Sequence, residues 1–311
     1  MKTQIRYKSL CFNDENIFGK KEIPLEEIIA EGNKIENYVV FFGDSKDKII
    51  ISFNLQTLKW SKLESSFGVD YEFLDYSCVV WLKNDILLIS GGCVYSNYKS
   101  TASKSTFIVK FIPNNQITFY EFEPMNIEKF SHGSVVLNGV PYVFGNFSFK
   151  ILGGHSGYST LNVTEFYDEK EKIWKIGGNM NVEREIFAYC TLKDRYIYIF
   201  GGFNDNHLDT IEKYDSVHHK WRMLNIRMKR PLQNASAVSI SDDQIILIGG
   251  YNGNLHKCID ILNLSTQTWT SLDKMKMTVP RRRSHCYKFE DKVKKNNKVD
   301  LYIWRGRHRC R

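Results

Sequence analysis

The apolar residues of this 311-residue chain fall in short runs rather than long ones. Three runs close on a pair of glycines: "DILLIS" before Gly91-Gly92, "RYIYIF" before Gly201-Gly202 and "QIILI" before Gly249-Gly250. A second apolar run stands just upstream of each, "YSCVVWL", "IFAYCTL" and "NASAVSI", and "HGSVVL" holds the same place in a further unit. Runs of this length, rich in β-branched and aromatic residues and bounded by turn residues, predict strands, four to a unit. None approaches the ~20 consecutive apolar residues of a membrane helix.

The units repeat. A further glycine pair, Gly153-Gly154, lies 48 residues before Gly201-Gly202, and Gly249-Gly250 lies 48 residues after it. One step of the same size back from Gly91 reaches Gly43 in "YVVFFGD". The fullest units carry an aromatic position after the break and, seven residues on, a tryptophan. The pairs are Tyr167 and Trp174 in "EFYDEKEKIW", and Tyr214 and Trp221 in "EKYDSVHHKW". In "DILNLSTQTW" Leu262 replaces the tyrosine and Trp269 remains, and "ISFNLQTLKW" carries Phe53 and Trp60. The second unit is looser, with Phe111 and Phe119. In the third unit the break point is open between Gly145 in "YVFGN" and Gly153 in "KILGG", so about eight residues are inserted there.

An apolar strand into Gly-Gly, followed by Tyr-x6-Trp at this period, resembles the kelch repeat over nearly the whole chain. The resemblance implies an all-β, six-bladed propeller with four antiparallel strands per blade. The expected blades are residues 35–64, 75–123, 131–178, 185–225 and 234–273. A closing blade would combine outer strands from residues 1–25 with inner strands from residues 284–306, and 307–311 would be a basic tail. Sharing that blade between the chain ends would leave no open sheet edge. Glycine at the doublets allows positive φ and close backbone approach. The tyrosines and tryptophans supply apolar area between blades and keep a polar atom for a hydrogen bond.

Composition narrows the function. The net charge is +8, but residues 281–311 hold twelve Lys and Arg against Glu290, Asp291 and Asp300, so the first 280 residues sum to −1. A basic tail segment is a weak basis for nucleic-acid binding, and aromatics for base stacking are sparse there. The seven cysteines form no C-x-x-C pair, which argues against a zinc site or a disulfide framework. The start "MKTQIRYKSLCFNDE" is polar, so no secretory signal is expected and the cytoplasm is the expected location, with cytoskeletal association compatible. His218 and His219 fall in a rim turn, and His132 and His285 precede first strands; no ligand cluster is expected at any of them. There is no G-x-S-x-G elbow and no phosphate loop.

These readings imply no cofactor, no metal and no catalytic residue. In the kelch resemblance, one face is built from residues just after each doublet and from loops entering each first strand. The first set is Cys93, His155, Phe203 and Tyr251. The second is Lys129, Arg184, Arg230 and the run Arg281, Arg282 and Arg283. Together they would form a basic rim around an aromatic and imidazole-lined mouth, suited to an acidic segment of a protein partner. The expected function is a non-catalytic interaction module or scaffold, in a cytoskeletal or ciliary assembly or beside a ubiquitin-ligase component. The repeats take up the residues, leaving no room for a BTB domain, so an adaptor role would run through a partner subunit. The alternative is a small-molecule enzyme of the kelch-like type, a sugar epimerase or an oxidase.

Overall fold

The computed structural model describes residues 4–9, 38–42, 50–54, 57, 59–67, 74–83, 85–96, 99–112, 116–152, 155–272, 284–289 and 298–305. Every regular element among them is a strand, and none is a helix long and apolar enough to cross a membrane. The chain forms two compact units, residues 15–179 and residues 1–14 with 180–311. Strand β1 (Gln4–Ser9) belongs to the second of these.

The first unit opens with β2 (Tyr38–Phe42), β3 (Ile50–Asn54) and β4 (Lys59–Phe67). It continues through β5 (Cys78–Lys83), β6 (Ile86–Ser90), the hairpin β7 (Cys93–Ser96) and β8 (Lys99–Ala102), β9 (Thr106–Ile112) and β10 (Gln116–Phe122). Residues 35–64 and 75–123 were expected as separate blades. Instead their strands join in one seven-stranded sheet of order β2-β3-β4-β10-β9-β6-β5. The cause is local. β4 pairs with β3 only as far as Leu63, and its overhang pairs in parallel with the start of β10, from Glu64↔Gln116 to Phe67↔Phe119.

The same unit holds the sheet β11 (Gly133–Leu137), β12 (Val140–Leu152), β13 (His155–Asp168) and β14 (Ile173–Asn179), in that order. Here the two candidate break points separate. The register shifts between Phe144 and Asn146, and Gly145, at φ 67°, ends the part of β12 that pairs with β11. Beyond it, β12 and β13 run on as a long hairpin to Leu152↔His155. Gly153 and Gly154 fall between those two residues, outside the described residues, as does Gly43. The inserted residues therefore form this hairpin extension, and Gly145 holds the place of the first doublet glycine.

The second unit contains β15 (Ala188–Leu192), β16 (Tyr196–Phe200), the short hairpin β17 (Phe203–Asn204) and β18 (Asn206–His207), β19 (Ile211–Asp215) and β20 (Lys220–Met223). A second four-stranded sheet follows: β21 (Gln233–Ser239), β22 (Gln244–Tyr251), β23 (Ile259–Asn263) and β24 (Thr268–Ser271). Both sheets are antiparallel with strands in chain order. β25 (Ser284–Phe289) and β26 (Lys298–Arg305) complete the chain, and β1 pairs with β26, from Gln4↔Lys298 to Ser9↔Ile303. That pairing is parallel, where an antiparallel outer strand was expected, and residues 10–25 lie outside the described residues.

First strands lie side by side, β15 beside β21, β21 beside β25, and β5 beside β11 in the other unit. One apolar core runs between two sheets of the second unit. Phe200, Ile211, Leu232, Ile245, Leu247 and Leu262 are its buried centre, and Trp269 packs against it. In the first unit Leu88, Met125, Val143, Tyr167 and Trp174 form the corresponding layer. The aromatic pairs sit across their hairpins, Tyr167↔Trp174, Tyr214↔Trp221 and Phe53↔Trp60. The rings of each pair pack against one another, and the polar atom is used too. Trp174 Nε1 donates to Glu123 O at 2.7 Å, and Trp269 Nε1 donates to Arg227 O at 2.8 Å, fastening each outer strand to the loop that enters its own sheet.

The doublets are clamped between two such loops. Gly92 N donates to Lys129 O at 2.7 Å, and Gly202 N donates to Leu232 O at 2.8 Å. Gly91 has φ +57°, and a Cβ there would collide with Lys129 O. Gly91→Ala is therefore expected to cost about 2 kcal/mol or more. Gly139→Ala, also at positive φ but with nothing within 4 Å of its Cβ, should cost only about 1 kcal/mol. Urea unfolding of the two variants checks the difference; equal costs would show that φ alone, and not the loop carbonyl, demands glycine at Gly91.

Candidate functional site

The loop entering β11 has the sequence Met125-Asn126-Ile127-Glu128-Lys129, and the loop entering β15 has Met180-Asn181-Val182-Glu183-Arg184. Both methionines are buried, and so are both terminal cations. Lys129 Nζ lies 2.7 Å from Glu165 Oε1, and Arg184 Nη2 lies 2.6 Å from Glu212 Oε1, with all four side chains at 0% exposure. Each acid sits on the third strand of its sheet, two residues before the repeat tyrosine. Each also accepts backbone N–H groups from the loop: Asn126 and Ile127 for Glu165, Asn181 and Val182 for Glu212. Arg184 Nη1 donates further to the carbonyls of Gly201 and Thr210. Burial pulls both cations below their ordinary pKa, and the paired glutamates oppose that shift.

This corrects the basic rim at two positions. Lys129 and Arg184 point into the sheets and are consumed by structural ion pairs, so neither presents a cation at the surface. The sequence signal was present but belonged to packing: Met-Asn-[Ile/Val]-Glu-[Lys/Arg] is a buried methionine and a buried cation four residues apart.

Arg230 is corrected differently. The hydrogen bonds of Met228 N to Asp209 O and Leu232 N to Leu208 O match those of Met125 N to Lys104 O and Lys129 N to Ser103 O. Leu232, not Arg230, is thus the counterpart of Lys129 and Arg184, and it is buried. Arg230 stands two residues earlier and reaches the third-strand acid from the solvent side, with Nη1 3.0 Å from Asp260 Oδ2 and 29% exposure. Arg281, Arg282 and Arg283 lie outside the described residues.

Of the mouth residues, Cys93 is fully buried and the side chain of His155 lies outside the described residues. Phe203 and Tyr251 are partly exposed, and they come together through His207, which the sequence reading passed over. The His207 ring is 5.3 Å from Phe203 and 5.9 Å from Tyr251, edge-on to both. Its Nε2 is buried without a hydrogen-bond partner among the described residues. The exposed side chain of Leu255, bridged to Tyr251, stands beside this shelf.

His132 is part of the packed interior. It is buried, with Nε2 2.8 Å from Ser90 Oγ, and burial together with the Lys129 charge lowers its pKa to about 3. His219 Nδ1 lies 3.1 Å from Tyr214 Oη, and His218 joins Arg195 on Asp215. Among the described residues no three His, Cys, Asp or Glu side chains come together as metal ligands do.

The repeats and their clamped doublets define a kelch-type protein. A family model described as the KLHDC2/KLHL20/DRC7 Kelch-repeats domain matches residues 32–250, and a Kelch motif model matches residues 234–276. The chain belongs to the kelch-repeat family. It is 27% identical to Kelch-like protein 6 of Homo sapiens over 204 residues, 59% of this chain and 29% of that protein. It is 24% identical to Kelch-like protein 26 of Danio rerio over 211 residues, 65% of this chain and 32% of that one. An F-box/kelch-repeat protein of Arabidopsis thaliana is 28% identical over 97 residues, 31% of this chain and 25% of that protein. The matched stretches span about a quarter to a third of the length of these relatives.

The ion pair predicts non-additive mutants. Glu212→Ala strands the Arg184 charge and should cost about 3–5 kcal/mol. Arg184→Leu, which copies Leu232, should cost less, and the double variant should fall short of the sum by about 1 kcal/mol or more. Additive costs in urea unfolding would break the coupling argument. His132 gives a second expectation. The unfolded chain binds this proton near 6.5 and the folded one only near 3, so stability falls as pH drops through that window. His132→Asn should flatten the fall of the urea midpoint with acid; an unchanged slope would assign it to other groups.

Proposed function

We propose that this chain is a non-catalytic interaction module that presents its doublet-end loops to a protein partner. The observation that carries the reading is the Phe203–His207–Tyr251 shelf: two partly exposed aromatics held on short β-turn structures, with an imidazole nitrogen between them that has no partner among the described residues, and Leu255 exposed alongside. Amphipathic rings on rigid loops are what a peptide or loop of another protein docks against. The fold that goes with this is the six-bladed propeller of the repeat count, its last blade shared between the chain ends. Family membership supports the module reading, because the relatives are kelch-like and F-box/kelch proteins. A place beside a ubiquitin-ligase component is the most direct extension of those names; a cytoskeletal or ciliary scaffold fits the same surface, and the cytoplasm is the location that goes with either.

The test is capture of proteins from native lysate by the full chain and by the double variant Phe203→Ser, Tyr251→Ser, with circular dichroism to show that both are folded. Loss of specific captured proteins in the variant is expected. An unchanged set would remove the shelf from the account.

A further inference from the structure

Asn-Gly occurs twice in the chain, at Asn138-Gly139 and Asn252-Gly253. The dipeptide forms turns, and it is also chemically labile. With no Cβ in the way, the glycine nitrogen can reach the side-chain carbon of the asparagine and close a five-membered ring. Whether it does so depends on how the fold holds the two residues, and this fold holds the two pairs differently.

Asn138-Gly139 is the tight turn joining β11 to β12. Both residues have positive φ, 50° and 79°, and the Leu137↔Val140 pair closes the ladder directly beside them. Swinging the Gly139 nitrogen onto the Asn138 side chain would break the end of that hairpin.

Asn252-Gly253 lies at the tip of the loop between β22 and β23. The base of the loop is fixed, because Tyr251 is bridged to Leu255 and His256 N donates to Gly250 O at 3.0 Å. The tip is open. Gly253 is exposed, at φ +96°, with nothing within 4 Å of the place a Cβ would take. Its N–H makes no hydrogen bond among the described residues. The Asn252 side chain turns back to His256, whose Nε2 is 2.6 Å from Oδ1. That oxygen only accepts, so the imidazole donates. A donor placed there polarises the amide and strengthens as negative charge develops on the oxygen.

We propose that Asn252-Gly253 is a site of spontaneous covalent modification, with His256 as its built-in donor, and that the fold protects Asn138-Gly139. The Gly253 nitrogen gives its proton to solvent and bonds to Asn252 Cγ, while Oδ1, held by His256, takes up the charge. The carbonyl then re-forms as the Cγ–Nδ2 bond breaks, and Nδ2 leaves as ammonia with a proton from solvent. Water opens the resulting succinimide at either carbonyl. Opening at Cγ gives aspartate; opening at the backbone carbon gives isoaspartate, with the chain routed through the side chain. Nothing is oxidised or reduced, and water is the one co-reactant. The space around Gly253 accommodates the lengthened backbone. The product changes both charge and chain path between Tyr251 and Leu255. This inference goes beyond the interaction-module reading and does not rest on it.

The experiment is prolonged incubation of the full chain at mildly alkaline pH, folded and in urea, with peptide mapping by mass spectrometry and an isoaspartate assay. In the folded chain the Asn252 peptide is expected to gain the mass of amide-to-acid conversion about 10-fold faster than the Asn138 peptide, or more. In urea, where the fold no longer separates them, the two should convert at similar rates. His256→Phe, checked for folding by circular dichroism, should slow the Asn252 conversion about 10-fold in the folded chain and leave it unchanged in urea. Gly253→Ala should slow it in both states, because the ring closes against a Cβ. Equal folded rates at the two sites, or a faster Asn138, would overturn the proposal. So would acid formation at Asn252 with no isoaspartate, since that is direct hydrolysis without the ring. A folded His256→Phe chain that converts as fast as the parent would remove His256 from the reaction. If that variant does not fold, the comparison of folded and urea-treated parent chain still decides whether the fold selects Asn252.

Discussion

The third-strand acid is the constraint on which the repeat depends. Glu165 and Glu212 are each buried, each pair with a buried cation, and each accept two backbone N–H groups from the loop that enters the same sheet. A buried pair is not in itself strongly stabilising, because desolvating two charges offsets most of their attraction. What it does here is fix geometry. The loop has few partners of its own, and the acid supplies acceptors for amides that would otherwise be buried and unpaired. The loop entering β11 then has one position, and its carbonyl, Lys129 O, is available where the doublet of the neighbouring sheet needs an acceptor; Leu232 O serves the next doublet in the same way. Glycine follows as a consequence: Gly91 and Gly201 meet those carbonyls so closely that no Cβ fits.

The tryptophans close the same circuit from the outer edge. Trp174 and Trp269 bring apolar area to the layer between sheets and spend their one donor on the entering loop. The loop entering β11 is thus held at three kinds of place: by the acid, by the indole and by the doublet. This explains why sheets with so little sequence in common keep one register. Leu262 can replace tyrosine, and the insertion after Gly145 can lengthen a hairpin, without disturbing the loop.

Much of this was legible in the sequence, and what was not has physical reasons. The strands, their order and the aromatic pairs followed from period and residue type, since each strand buries one face against a neighbour. The break in the third unit was ambiguous because Gly153 keeps the 48-residue spacing by coincidence of insert length, while the register places the turn of the sheet at Gly145. The fusion of β4 with β10 depended on an overhang of four residues, which no local pattern encodes. The basic residues were misjudged for another reason. Charge in a loop reads as exposure, yet Lys129 and Arg184 lie four residues after a buried methionine and opposite an acid some thirty residues away. His207 was missed because nothing in its neighbourhood marks it. Only the fold brings it between Phe203 and Tyr251.

The sheet β21–β24 shows what the constraint permits. Once Leu232 fills the cation position, the interior needs no charge there, and a leucine in a close-packed slot is as good a spacer as an ion pair. The acid can then shorten to Asp260 and be served by groups at the surface. Those groups, Lys229 and Arg230, reach it from the solvent side. In the two sheets before it in sequence the cation is structural and silent toward solvent. Here the same chemistry is turned outward, next to the loop that carries Tyr251. Relaxing the repeat in one sheet is therefore how a fold made of equivalent parts can acquire one place that differs from the rest.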